Sequence, residues 1–325
     1  MAPHQGRSRE RNIEQSRPER VRRLRVVRPG RPAAVVGMIF SVAAIWAKSE
    51  TGCPGSAGIE KESRIMEFDG KVAIVTGGGR GIGEATCHGF ARQGAVVIVA
   101  DSDEVGGRKT TQAIQASGGT GFFVKTDVRV SAEVERMAQQ AVAQFRRVDV
   151  LANVAGVQGM VANVVDLPLE EWDRVVAVNL TGTYLCCKHC IPAMLQNGGG
   201  SIVNVASLQS YFNVPGSSAY AATKGGIVSL TRCMALDFAA RGIRINAVAP
   251  GYIDTPLLRG FAEATGDAEG TIKKWSRRIP MQRLTTPEEV AEVILFLAGS
   301  RASAVTGATY PVDGGILTAQ PTWTD

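Results

Sequence analysis

The sequence contains no apolar run of the roughly 20 residues that a membrane-spanning helix needs. Its longest, Ala33–Ala47, has 15. It also lacks a metal-ligand cysteine pattern. Cys187 and Cys190 form a C-x-x-C around His189, but Cys53, Cys87, Cys186 and Cys233 supply no second pair at a ligand spacing. The segment TYLCCKHCIPAML reads instead as an amphipathic helix in which cysteine is a small buried hydrophobe, and reduced thiols point to the cytoplasm. A charge excess of one sign is missing too, once the chain is divided. Residues 1–65 hold 13 Lys+Arg against 6 Asp+Glu, which leaves 23 against 24 for residues 66–325. The net charge of +6 therefore belongs to the N-terminal stretch. The remainder carries no basic, aromatic-studded segment, which excludes a nucleic-acid binder.

The first 65 residues divide into an Arg-rich part, the uncharged run Pro32–Ala47 and a polar connector. A signal peptide and a short membrane anchor are both readings of this stretch. The third, which we favour, is an extension that is disordered or not native, with the protein proper starting at Met66. A membrane partner follows only if the apolar run is native.

From Lys71 the pattern repeats: a short Val/Ile/Ala run, a turn, then a helical segment. KVAIVT, AVVIVAD, GFFVKTDV, VDVLANVAG, SIVNVAS, IRINAVAPG and ATYPVDGG read as strands. Between them lie helices, among them EATCHGFARQG closed by Gly94, SAEVERMAQQAVAQFRR with Ser131 as N-cap, and one continuous helix from about Leu169 to Gln196. PEEVAEVILFLAG begins with Pro287 in its first turn. Continuous apolar strands alternating with helices predict an α/β fold, a single-domain doubly wound parallel sheet of Rossmann type with helices on both faces. The domain spans residues 66–325, with a lid over the site at about 252–283.

Three features carry chemistry. The glycine-rich turn Thr76–Gly83 follows a strand and opens a helix, the context in which backbone N–H groups cradle a pyrophosphate. Asp101 ends the second strand, 18 residues after Gly83. A carboxylate there accepts the ribose hydroxyls of an adenosine and repels a 2′-phosphate, favouring NAD over NADP, although Arg80 in the loop offers a phosphate partner. Tyr220 and Lys224 stand one helical turn apart on one face. The ammonium is expected to lower the phenol pKa, and Ser207, closing the strand before them, can hydrogen-bond the same substrate oxygen.

With these in place the chain resembles the short-chain dehydrogenase/reductase family from about Phe68 to Gly315. TGGGRGIG matches its TGxxxGxG loop, Asp127-Val128 its adenine-contacting pair, and Asn153-Val-Ala-Gly156 its NNAG motif, with Val154 where a second Asn is usual. Asn179, Ser207, Tyr220 and Lys224 match its catalytic tetrad. Pro250-Gly251 and Thr255 match the positions flanking the nicotinamide. The resemblance implies a cofactor site made by Gly77, Arg80, Gly81, Ile82, Gly83, Asp101, Asp127, Val128, Asn153, Ala155, Gly156, Pro250, Gly251, Ile253 and Thr255, with Tyr220 and Lys224 shared. It implies interconversion of a secondary alcohol and a ketone, with Tyr220 exchanging the proton, Lys224 tuning it and holding the ribose, Ser207 polarising the substrate oxygen and Asn179 holding a relay water. It implies a homotetramer and a small-molecule alcohol or ketone substrate. A 3-oxoacyl carrier-protein reductase using NADP and a non-catalytic NAD-binding regulator remain the alternatives. Leu257, Leu258, Phe261 and Trp275 of the lid, with Tyr211 and Phe212, are expected at the substrate pocket. Lys273, Lys274, Arg277 and Arg278 form either an anion site or a solvated face.

Overall fold

The computed structural model describes residues 66–319. The N-terminal leader with its apolar run lies outside the described residues. Seven parallel strands form one sheet in the order β3-β2-β1-β4-β5-β6-β7. They are β1 (Val72–Thr76), β2 (Val96–Asp101), β3 (Thr120–Lys125), β4 (Val150–Asn153), β5 (Gly200–Val205), β6 (Ile243–Pro250) and β7 (Thr309–Val312). All five residues of β1 are buried, as a central strand covered on both faces requires. Alternate side chains point to opposite layers. Val72 and Ile74 join a core with residues of α3 (Ser131–Phe145), α5 (Gly182–Gln196) and α6 (Ser218–Phe238). Ala73 and Val75 join another with α1 (Gly81–Arg92), α2 (Glu104–Ala116) and α9 (Pro287–Ala298). The doubly wound sheet is as the alternation predicts. Among the described residues no helix is long and apolar enough to cross a membrane.

The strand order reverses between β1 and β4, which places a crevice beyond their carboxyl ends. Thr76 pairs in register with Asn153, and Asn153 with Asn204, so three polar residues lie level across β1, β4 and β5. The element α4 (Leu169–Val176) leads into α5 through a π turn, Ala177–Thr181, rather than as one regular helix. The extra residue in that turn carries Asn179 inward, and π turns of this kind concentrate at functional sites. Two short helices, α7 (Pro256–Glu263) and α8 (Ala268–Arg277), form the segment after β6.

Two helix ends test the local reading. Gly94 follows the end of α1 at φ 88°, and its N–H donates to the Ala91 carbonyl at 3.0 Å, as a C-terminal glycine should. Ser131 is not the N-cap of α3. Val130 holds that position without a side-chain cap, and Ser131 is already helical, its hydroxyl 3.0 Å from His189 Nε2 on α5. A tertiary partner for the hydroxyl outcompetes the local backbone. By contrast α9 has a full capping box between Thr286 and Glu289 behind Pro287.

Candidate active site

The glycine loop is shaped by what has to pass beside it. Gly77 has φ 67°, and a Cβ there would lie 2.8 Å from Ala155 Cα. A Cβ on Gly83 would fall on the Gly77 carbonyl oxygen, so helix α1 begins pressed against the turn that precedes it. Thr76 ties this loop to the next strand. Its Oγ1 accepts the N–H groups of Val154 and Ala155 at 3.1 and 3.2 Å. The link to the NNAG-like turn therefore runs through backbone N–H, which a valine at position 154 supplies as well as an asparagine. Helix α1 has no side-chain cap on its first turn, leaving N–H groups at its positive end open to an anion.

Gly77, Arg80, Gly81, Ile82, Gly83, Asp101, Asp127, Val128, Ala155, Gly156 and Thr255 line one cavity of about 360 Å³. Asp101 is held in place at its rim, Oδ2 accepting Gly79 N–H at 2.8 Å and Oδ1 accepting Asp103 N–H at 2.9 Å. Two arginines that the sequence reading did not single out line the same cavity, Arg129 and Arg174. Arg129 grips Asp127 with Nη2 at 2.6 Å and Nε at 3.0 Å, which holds that carboxyl below its ordinary pKa. Arg174 pairs with Glu171 at 2.7 Å and holds it down to about 2. The second pair was legible as an i,i+3 helix contact, whereas nothing in an Asp-x-Arg spacing marks the first. Among the described residues Arg80 forms no ion pair.

A second cavity of about 160 Å³ adjoins the first, sharing Ile82, Gly156 and Thr255 with it. Ser207, Tyr220, Lys224, Pro250, Gly251 and Ile253 line it, with Val205, Leu257, Leu258 and Phe261 as its apolar wall. Ser207 stands just past β5 and caps a short 3₁₀ turn, its Oγ accepting Gln209 N–H at 3.2 Å. Tyr220 and Lys224 project from the first two turns of α6. Lys224 is 4% exposed, and its Nζ donates to the Val205 carbonyl at 2.7 Å, which pins α6 to the end of β5 beside Ser207.

The electrostatics differ from the sequence expectation. Lys224 Nζ lies 5.5 Å from the centre of the Tyr220 ring and is turned toward Val205. Burial lifts the Tyr220 phenol above its ordinary pKa, with the Ser207 hydroxyl pulling the other way. Burial also brings the Lys224 ammonium down to about 8. Desolvation of both groups outweighs their mutual effect, so Tyr220 rests as a neutral phenol.

Asn179 is fully buried and lines neither cavity. Its amide bridges two elements: Oδ1 accepts Val157 N–H at 2.8 Å, while Nδ2 donates to the Val157 carbonyl at 2.9 Å and Thr223 Oγ1 at 3.2 Å. A Cβ on Gly156 would lie 3.3 Å from Asn179 Oδ1 and 3.5 Å from Lys224 Nζ, so the chain at 156 passes close beside both groups. Asn153 is a correction. Its side chain turns under the sheet to Asn204 Oδ1 at 2.9 Å and Cys187 Sγ at 3.4 Å, not toward the cleft. Strand alternation sends it there, and Asn204 extends the chain to Thr231 on α6 at 2.9 Å.

The aromatic expectations also change. Trp275 stacks on Tyr252 with centroids 5.7 Å apart and lies outside both cavities. Tyr211 borders a neighbouring groove beside α6, and Phe212 lines none of these cavities. Lys273, Lys274, Arg277 and Arg278 are exposed and line neither cavity. Cys87, Cys186, Cys187 and Cys190 are buried free thiols whose pKa values burial raises, and no group of potential metal ligands occurs among the described residues.

Residues 77–317 match the family described as enoyl-(acyl carrier protein) reductase. The chain is 42% identical to the cis-4-hydroxycyclohexanecarboxylate dehydrogenase of Sinomonas cyclohexanicum, over 76% of this chain and 97% of that one. It is 39% identical to the cyclohexanol dehydrogenase of Acinetobacter sp. strain SE19, over 76% and 95%. A short-chain dehydrogenase/reductase structure from Burkholderia xenovorans superposes with a TM-score of 0.75 at 36% identity, covering 78% and 99%. The chain belongs to the short-chain dehydrogenase/reductase family. It is an oxidoreductase acting on CH–OH groups with a nicotinamide nucleotide.

Proposed function

We propose that this chain interconverts a neutral secondary alcohol and its ketone with NAD as the preferred nucleotide, and that the alcohol is cyclic. The observation that carries the reading is the convergence of Ser207, Tyr220 and Lys224 on a small apolar cavity continuous with the nucleotide cleft. The uncapped first turn of α1 and the fixed carboxylate of Asp101 suit a dinucleotide with free ribose hydroxyls. When bound, NAD supplies the hydride acceptor. Gly77, Gly81, Ile82 and Gly83 would hold its pyrophosphate, Asp101 the adenosine ribose, and Pro250, Gly251 and Thr255 the nicotinamide end.

The chain's own work is proton handling. Ser207 Oγ positions the substrate oxygen, and Tyr220 Oη takes the alcohol proton after passing its own to solvent, or gives its proton to the ketone oxygen in reverse. Burial leaves little phenolate at neutral pH, so substrate oxidation needs the charge that Lys224 retains below about pH 8 to stabilise that form. Asn179, close to Lys224 across Gly156, would hold the water that connects Lys224 with solvent. Apolar walls at Val205, Leu258 and Phe261 exclude bulk water from the reacting carbon. Cyclic alcohols suit those walls, and two similar proteins are named for cyclohexane-ring substrates.

Buried thiols suit a reducing compartment such as the cytoplasm. Exposed Tyr184 on α5 and Leu236 on α6 favour a homotetramer assembled through these helices. The test is NADH formation by the full-length chain on cyclohexanol, linear secondary alcohols, sugars and 3-hydroxyacyl thioesters, each with NAD and NADP. Fastest turnover of cyclohexanol with NAD is expected. Fastest turnover of the thioesters with NADP would favour a carrier-protein reductase, and tight NADH binding without turnover of any compound a regulatory protein.

A further inference from the structure

Five polar side chains line the 160 Å³ cavity: Gln158, Ser207, Tyr220, Lys224 and Thr255. Four have work already. Ser207 and Tyr220 address the reacting oxygen, and Lys224 is committed to the Val205 carbonyl. Thr255 Oγ1 caps α7, accepting Leu258 N–H at 3.3 Å and donating to the Ile253 carbonyl at 3.4 Å. Gln158 is the exception. It is half-buried in a largely apolar lining, and no hydrogen bond to its amide occurs among the described residues. An amide in such a place favours a ligand that satisfies it over an analogue that leaves it bare.

We propose that Gln158 binds a second, uncharged oxygen of the substrate, so that the preferred substrate is a diol or hydroxyketone rather than a simple alcohol or a hydroxy acid. This rests on the function proposed above. The amide offers both a donor and an acceptor, which matches a hydroxyl or a carbonyl. A carboxylate would need a cation, and the cavity offers none that is free. Lys224 is engaged, and Arg259 on α7 is tied to Asp254 by bonds of 2.6 and 2.7 Å. A carboxylate brought there would lose its hydration against an apolar wall.

The experiment measures kcat and KM of the full-length protein with NAD for cyclohexanol, the cyclohexane-1,2-, 1,3- and 1,4-diols, and 4-hydroxycyclohexanecarboxylate. It is repeated with Gln158→Leu and Gln158→Asn, with NADH binding as the check on folding. The best diol should exceed cyclohexanol in kcat/KM by roughly tenfold, the gain of one hydrogen bond. Gln158→Leu should bring that ratio close to one, chiefly through the KM of the diol, while Gln158→Asn keeps part of it. A ratio near one in the unaltered protein overturns the inference, as does an equal loss on all substrates in Gln158→Leu. Faster turnover of the hydroxy acid than of any diol overturns the choice of an uncharged group. Turnover of cyclohexanol without a diol preference sinks this inference alone, whereas no turnover of any alcohol sinks the proposed function with it.

Discussion

The two ends of the cleft are held by different physics. At the nucleotide end the backbone itself is the wall: Gly83 abuts the Gly77 carbonyl, Gly77 lies against Ala155, and Thr76 Oγ1 gathers two N–H groups from the neighbouring strand end. There is room for one residue type at each of those glycines. At the substrate end Ser207, Tyr220 and Lys224 are anchored on β5 and α6, but much of the remaining wall is side chain from α7, where Leu257 is 53% exposed. An apolar wall of that kind accepts many side chains of similar volume. A site built from backbone constrains its sequence, and a site built from aliphatic side chains hardly does, so the reaction class is easier to read than the substrate.

The sharpest break between the two ends is Tyr220→Phe. Removing one hydroxyl should lower kcat by roughly 10²–10⁴-fold, the usual size of a positioned acid–base group, and leave the NADH dissociation constant within about threefold. Stopped-flow turnover and fluorescence titration measure the two effects. A mutant that keeps most of its turnover would remove Tyr220 from the mechanism. Equal losses in both measurements would mean that the ends are not separable.

Lys224 offers the next contrast, between function and stability. Its ammonium is buried and its pKa falls from 10.5 to about 8. Because the folded value lies below the unfolded one, the cost of burying the charge is full below pH 8, fades between 8 and 10.5 and is absent above. Lys224→Met should therefore abolish turnover yet raise stability at pH 6.5 by on the order of 2 kcal/mol, after loss of the bond to Val205 is allowed for. Thermal melts at pH 6.5 and 10.5 would show the gain at the lower pH only. Destabilisation at pH 6.5 would mean that the Val205 bond outweighs desolvation.

Much of this was legible because local and global signals agree. Seven apolar runs separated by helical segments leave little choice but a doubly wound sheet, and Gly94 and Pro287 mark helix ends through constraints internal to one residue. What escaped the sequence depends on partners far along the chain. Ser131 looks like an N-cap until His189 takes its hydroxyl. Asn153 reads as a cleft residue, but the strand pleat turns it to Asn204. No residue type announces the π turn that carries Asn179 inward. Lys224 reads as a charge that tunes Tyr220, and only burial reveals that desolvation dominates.

A smaller change sharpens the nucleotide end. Asp101 is fixed by two backbone N–H groups, while Arg80 has no ion pair among the described residues. Asp101→Ser removes the carboxylate and leaves the cation, so the ratio of kcat/KM for NADP to that for NAD should rise by roughly tenfold or more. Steady-state kinetics with both nucleotides decide it. No change in the ratio would move nucleotide choice away from Asp101.

The lid supplies the smallest expected effect. Lys274 and Arg277 on α8 are exposed, while the α7 side chains Leu257, Leu258 and Phe261 are the ones that line the cavity. Exposed charges that line neither cavity act on an uncharged ligand only through long-range fields, which salt screens within about 8–10 Å. Lys274→Ala with Arg277→Ala should accordingly change kcat/KM on an uncharged alcohol by less than about twofold at 0.15 M salt. The same pair tested on a 3-hydroxyacyl thioester of an acidic carrier protein separates the two readings of this cluster. A loss confined to that substrate, growing as salt is lowered, would show that α8 docks an anionic partner and that the substrate end extends beyond its apolar walls. Equal, small effects on both substrates would leave α8 as a solvated face, with selection confined to the cavity beside Tyr220.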